Sequence, residues 1–362
     1  MRFHVCALPH THTTSEYSSC AYTIKVVNFC KMMKDRGHTV ILYSGEKNDA
    51  PCDEHVTCIT EQERIAYCGG EDNTPQNLKS NWDYTSTGWV VFNNKTVAEM
   101  GKRIQPKDFI CVIAGLCQKT IADAFPGHMT VEFGIGYVGT FSRYRVFESY
   151  AWMHMIYGAA SNGNPFNSDG SWWDTVIPGY LDPGMFPFEA EKDNYYMFIG
   201  RLIDRKGFMI ASQVCEDLGA RLVVCGQGEP PANCDYRGVV GPEERGRLMS
   251  RAKAVFVPTL YIEPFGNVNI EAQACGTPVI TTDWGAFTET VVDGATGFRC
   301  RTFGEFKRAA LAAPALDPYS IRDRAVSKYS LEAIGKRYED YFVRLLHLWD
   351  DGWYEGRSSS KE

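Results

Sequence analysis

Glu263-Pro264-Phe265-Gly266-Asn267-Val268-Asn269-Ile270-Glu271-Ala272-Gln273-Ala274-Cys275-Gly276-Thr277-Pro278 is the stretch whose reading decides the fold. It opens in a loop, runs through a helix-period segment over 268–275 and stops at Gly276, a residue that favours helix ends. A strand-like run over 254–258 precedes it, and another over 278–282 follows. Strand, loop, helix and strand in that order make a βαβ unit, and such units build parallel sheets.

The same alternation extends outward. Strands are expected over 195–199 and 221–225, and helices over 208–218 and 242–252. In the first half, 2–8 reads as a strand. Residues 20–36 read as a helix with Ala21, Ile24, Val27, Cys30 and Met33 on its apolar face. Gly37 stops that helix, and 38–43 is the next strand. Strands follow over 109–114 and 130–133, with helices over 97–103 and 147–157. The polar run 67–87 reads as a long surface loop, a class of segment that often carries function. Prolines and glycines break the pattern near 182–192. The expected organisation is therefore two doubly wound α/β domains facing a cleft, over 1–187 and 188–337.

Composition narrows the classes. The chain has 362 residues, 44% of them hydrophobic, ample for two buried cores. Lys and Arg total 37 against 44 Asp and Glu, for a net charge of −7. That balance argues against a general polyanion binder. No apolar run approaches the ~18 residues of a membrane span, and none suits a signal peptide. Thirteen cysteines, an odd number with no CxxC pair, fit reduced thiols in a cytoplasmic protein. Cys52-Asp53-Glu54-His55-Val56-Thr57-Cys58 lacks a second ligand pair at zinc spacing, so no metal site is expected.

Two segments carry chemistry. Gly200-Arg201-Leu202-Ile203-Asp204-Arg205-Lys206-Gly207 sets three cations between a strand and a helix, at the sheet edge where such folds bind ligands. Arg201 and Lys206 suit a diphosphate there. In the stretch quoted first, backbone N–H groups of Gly266 to Val268 stand at a helix N-terminus, which favours an anion. Glu263 and Glu271 would be odd neighbours for a bare phosphate. They suit a ligand that also carries hydroxyls, because carboxylates accept hydrogen bonds from them. The combination points to a nucleotide-sugar.

On these residues the chain resembles the family-4 glycosyltransferases of the GT-B fold. The resemblance rests on Gly200-Arg201 with Lys206-Gly207, the Glu-x7-Glu motif Glu263…Glu271, the run Ala274 to Val279, Gly294-Ala295-Thr296-Gly297, and the bridge from Val176 to Phe186. It implies a nucleotide-diphosphate sugar donor, UDP- or GDP-linked, transfer with retention at the anomeric carbon, and no obligatory metal. Arg201 and Lys206 would grip the diphosphate, and Glu271 the ribose hydroxyls. Glu263 would contact the transferred sugar. Phe265, Gly266, Asn267 and Val268 would line the donor site with backbone groups. His154 resembles a first-domain histidine that approaches the donor sugar, so Glu263, His154, Arg201 and Lys206 form the expected transfer machinery. Glu289 stands where the family has a further acid, or simply at a helix N-terminus. The tail helix, about 338–353, is expected to cross back onto the first domain.

The first half departs from the family. Its usual glycine-rich turn is replaced by Pro9-His10-Thr11-His12-Thr13-Thr14-Ser15-Glu16-Tyr17. His10, His12, Thr14 and Glu16, with Gly136, read as acceptor-side groups or as a polar surface loop. The acceptor could be a glycan, a small molecule or a hydroxymethylated DNA base. Gly134-Ile135-Gly136-Tyr137-Val138-Gly139 matches the dinucleotide fingerprint GxGxxG, which leaves an NAD-dependent oxidoreductase as the alternative. A noncatalytic carbohydrate- or nucleic-acid-binding protein is another. The final Ser358-Ser359-Ser360-Lys361-Glu362 reads as a disordered end.

Overall fold

The computed structural model describes residues 1–351 apart from 165 and 167, with the backbone alone for 348–351. The polar end at 358–362 and the last two residues of the expected tail helix lie outside the described residues.

The first half runs β1 (Arg2–Cys6), α1 (Ala21–Asp35), β2 (Thr39–Gly45), β3 (Glu54–Ile59), α2 (Glu61–Tyr67), α3 (Thr87–Met100), β4 (Phe109–Val112), α4 (Lys119–Ala124), β5 (Met129–Ile135), β6 (Tyr144–Phe147), α5 (Tyr150–Ala160) and β7 (Thr175–Val176). All pairings are parallel, in the order β3-β2-β1-β4-β5-β6-β7. The inner strands are buried on both faces, which is why Phe109-Ile110-Cys111-Val112 reads as an unbroken apolar run.

The second half runs β8 (Tyr196–Ile199), α6 (Phe208–Asp217), β9 (Leu222–Cys225), β10 (Asp235–Tyr236), α7 (Pro242–Arg251), β11 (Val255–Val257), α8 (Asn267–Ala274), β12 (Val279–Thr282), α9 (Phe287–Thr290), β13 (Gly297–Cys300), α10 (Phe303–Ala312), α11 (Pro318–Tyr329) and α12 (Leu331–Asp351). Its parallel sheet has the order β10-β9-β8-β11-β12-β13. Each sheet thus reverses direction beside its first strand, between β1 and β4 and between β8 and β11. Loops leaving the carboxyl ends of those neighbours diverge there and open a crevice.

α12 starts from the second half and ends on the first. Phe342 is fully buried, its ring 4.6 Å from Phe3 and 4.9 Å from Phe109. Arg36 donates to Glu339 through Nε at 2.8 Å and Nη2 at 2.6 Å.

Two expectations need correction. The helix expected over 147–157 is split. Phe147 pairs with Ile135 in β6, and the helix begins only after Ser149, whose Oγ accepts from Trp152 N at 3.1 Å. The helix expected over 97–103 is the end of α3, which starts at Thr87. The segment Cys52–Cys58 contains strand β3, and His55 Nε2 lies 2.8 Å from Ser44 Oγ and 3.0 Å from Gly45 O. Its imidazole serves the β2–β3 edge. All thirteen cysteines are free, and among the described residues no three His, Cys, Asp or Glu are placed to hold a metal ion.

Candidate active site

The loop after β8 must pass close to the end of β11. Gly207 makes this possible: its φ is +72°, and a Cβ there would sit 2.1 Å from Pro258 O. The pass delivers Lys206 Nζ to 2.8 Å from Glu263 Oε2, a residue of the loop after β11. A cation from one side of the strand reversal thus meets an acid from the other. Lys206 also lies over the Tyr261 ring at 4.9 Å, with Arg205 at 4.8 Å. Burial works against the lysine's charge, but Glu263 and Tyr261 outweigh it and raise its pKa above the ordinary value. The backbone of Glu263 is pinned as well, since its carbonyl accepts from Ala286 N at 3.1 Å.

Gly266 follows at φ +81° and caps the N-terminus of α8, so Asn267 and Val268 open that helix. Phe265 is 2% exposed, with its ring 5.8 Å from Tyr329, so its side chain belongs to the core. Glu271, one turn further, has Oε1 3.5 Å from Arg245 Nη2 of α7. Glu271 Oε2 and Arg245 Nε are buried without partners. Arg201 is exposed and makes no ion pair among the described residues. The structure therefore brings Lys206, Glu263 and Gly266 together and couples Glu271 to Arg245. Neither Arg245 nor Tyr261 was singled out in the sequence. The spacing of α7 marks Arg245 only as one more charge on a polar helix.

On the first-domain side, residues 9–13 are buried, which corrects the surface-loop reading. The segment 67–86 folds over them: Asn73 Nδ2 donates to His10 O at 2.8 Å, and Ser19 Oγ donates to Pro75 O at 2.9 Å. His10 packs edge-on against Trp82 at 5.2 Å and Trp89 at 6.1 Å, and neither ring nitrogen has a partner. His12 Nε2 turns to Glu61 at 3.2 Å. Thr14 is half-buried with Oγ1 unpartnered, and Glu16 is exposed. Gly136 approaches the second half, where a Cβ on it would lie 3.2 Å from Pro264 Cβ. The fingerprint-like loop that holds Gly136 leads into β6 and offers no helix N-terminus to a pyrophosphate, which removes its support for dinucleotide binding. His154 stands on an exposed face of α5, with its ring 6.2 Å from Tyr150 and 6.4 Å from Tyr157. Its recorded ring neighbours are these two tyrosines.

Burial of His10 lowers its pKa from 6.5 to about 4. As pH falls below 6.5 the unfolded chain takes up a proton that the folded chain refuses, so stability is lost on acidification. The loss between pH 7 and pH 5 is about 2 kcal/mol. His4, His12 and His38, also lowered chiefly by burial, act in the same direction. Urea unfolding at the two pH values should show His10→Phe less acid-sensitive than the parent by about 2 kcal/mol. Equal sensitivity would mean that His10 is not held neutral.

The two halves also touch directly. Ser149 Oγ donates to Pro264 O at 2.6 Å. Glu289 accepts from the N–H groups of Tyr150 and Ala151 at 3.0 and 2.8 Å, capping α5 across the interface. This acid does serve a helix N-terminus, but of the other half. A cavity of about 190 Å³ lies beside it, lined by residues that include Glu148, Phe265, Glu289 and Arg337. Lys206, Glu263 and Glu271 are not among its walls.

Two parallel sheets, each reversing beside its first strand, with a lysine–acid pair at the second reversal, define the GT-B class of fold. Residues 186–310 match the family described as glycosyl transferases group 1. Glycogen synthase of Mycobacterium tuberculosis is 30% identical over 174 residues, covering 42% of this chain and 42% of the synthase. The chain thus spans about two-fifths of the length of these curated relatives. Over nearly the whole chain the fold is shared with AviGT4, a glycosyltransferase involved in avilamycin A biosynthesis, at TM-score 0.66 and 20% identity, covering 96% and 98% of the two chains. It is shared too with HepE of Anabaena, solved with UDP-glucose, at TM-score 0.62 and 14% identity, covering 96% and 99%.

Proposed function

We propose that this protein is a retaining glycosyltransferase that moves a sugar from a nucleotide-diphosphate sugar, UDP- or GDP-linked, to an acceptor hydroxyl. The single observation that supports this most is the Lys206–Glu263 pair at the strand reversal of the second sheet, inside the segment that matches the glycosyltransferase family. The donor-binding unit is residues 188–337, and 1–187 with the tail helix holds the acceptor. The thirteen free thiols favour a reducing compartment, the cytoplasm, and no helix among the described residues is long and apolar enough to cross a membrane.

In the unliganded cleft Glu263 neutralises Lys206. A diphosphate entering beside Lys206 takes over that role and frees the carboxylate to accept hydroxyls of the sugar. Arg201 adds a second cation, and the α8 N-terminus adds N–H donors. As the bond from the anomeric carbon to the diphosphate breaks, its electron pair goes to the leaving oxygen, and these groups stabilise the charge. The acceptor oxygen bonds to the anomeric carbon from the same face, and its proton passes to a diphosphate oxygen. No metal is assigned a part. The acceptor is a glycan, a small molecule or a hydroxymethylated DNA base.

A donor-hydrolysis screen over UDP-, GDP- and ADP-sugars, read by mass spectrometry, tests the reading. One donor class should be cleaved. Arg201→Ala and Glu271→Ala should each weaken binding of that donor about tenfold or more. Unchanged binding in both variants would reject the assignment.

A further inference from the structure

One buried carboxylate in the cleft has no role so far. Glu148 follows β6 directly and is 4% exposed. Its Oε2 receives Lys25 Nζ at 2.7 Å, and Lys25, 6% exposed, also donates to Gly134 O at 3.3 Å. Its Oε1 is buried without a partner among the described residues. Leaving a carboxylate oxygen unsatisfied in the interior is costly, so such an atom needs a partner from outside the chain.

Its position says what kind. A point 1.5 Å off Gly136 Cα, where a Cβ would stand, is 2.6 Å from Glu148 Oε2 and 3.2 Å from Pro264 Cβ. Glu148 Oε2 and Pro264, the residue that follows Glu263, therefore flank the same point across the interface. The neighbouring Ser149 bonds to Pro264 O at 2.6 Å, which fixes this approach. Tyr22, whose Oη donates to Gly136 O at 3.2 Å, completes the wall, with Lys25 Nζ 4.8 Å from its ring.

We infer that Glu148, held in place by Lys25, is the first-domain residue that reads the transferred sugar, its free Oε1 accepting a hydrogen bond from a sugar hydroxyl while Glu263 holds the sugar from the opposite side. This inference rests on the glycosyltransferase reading. A carboxylate only accepts, so it selects a sugar with a hydroxyl at that place. Lys25 is a positioning residue: it occupies Oε2 and leaves Oε1 for the ligand.

The test compares the affinity of each nucleoside diphosphate with that of its sugar conjugate, by calorimetry with UDP, GDP and ADP, each alone and as the glucose conjugate. In Glu148→Gln the nucleoside diphosphate should bind as in the parent, whereas the preferred conjugate should weaken about fivefold, as a charged acceptor becomes neutral. A Lys25→Met, Glu148→Leu double variant removes both charges and guards against misfolding by an unpaired lysine. There the conjugate should weaken by about tenfold or more with the diphosphate still unchanged. Equal weakening of both ligands, or of neither, would overturn the assignment. If no nucleoside diphosphate binds the parent protein, the glycosyltransferase reading itself falls.

Discussion

Lys206→Ala should lower the rate of sugar transfer by about a hundredfold to a thousandfold, the range found when one preorganised donor to a developing oxyanion is removed. Two effects combine. The leaving diphosphate loses its nearest cation, and Glu263, 8% exposed, is left without a counter-charge in the same cleft. Glu263 would then repel the donor instead of greeting its hydroxyls, so affinity for the nucleotide-sugar should fall as well. Lys206→Arg should recover part of both, since it keeps the charge but not the compact ammonium geometry. Steady-state transfer from the preferred donor, with donor affinity measured in parallel, separates the terms. A variant within threefold of the parent in both would show that the lysine is no more than a structural ion pair.

Phe342→Ala should destabilise the fold by about 3–5 kcal/mol, the usual cost of deleting a large buried aromatic side chain. Phe342 touches Phe3 of β1 and Phe109 of the neighbouring central strand β4, and its ring is 6.2 Å from Phe29 on α1. The helix that bears it begins in the second half, so the loss also slackens the tie between the halves. Urea unfolding followed by tryptophan fluorescence should show the drop. A change below about 1 kcal/mol would mean that the site collapses around the missing ring, and that α12 contributes little to the first core.

The second-half cluster was legible because its signals are local. Gly207 and Gly266 are needed where the backbone turns left-handed, Lys206 sits just before the first of them, and Glu263 to Glu271 span a loop and two helical turns. The first-half loop was not. Residues 9–13 are polar and read equally as a surface turn, and only the overlying segment 67–86 makes them interior. Lys25 falls between Ile24 and Val26 on α1, and nothing in its spacing foretells a partner 123 positions away. Glu148 was hidden inside a segment expected to be helical, because an aromatic run obscured the point where β6 ends and Ser149 caps the next helix. His154 came from resemblance, and on α5, which starts at Tyr150, it is exposed.

By itself the sequence determined the alternation of strands and helices, hence parallel sheets, and the placing of a cation and two acids at strand ends, since hydrophobic period and glycine position act over a few residues. Which loops face one another was decided only by the tertiary structure. The pairing of Lys206 with Glu263, of Lys25 with Glu148, and of Glu289 with a helix of the other half depends on strand order and on how two sheets pack, and those contacts are set by burial summed over the whole chain.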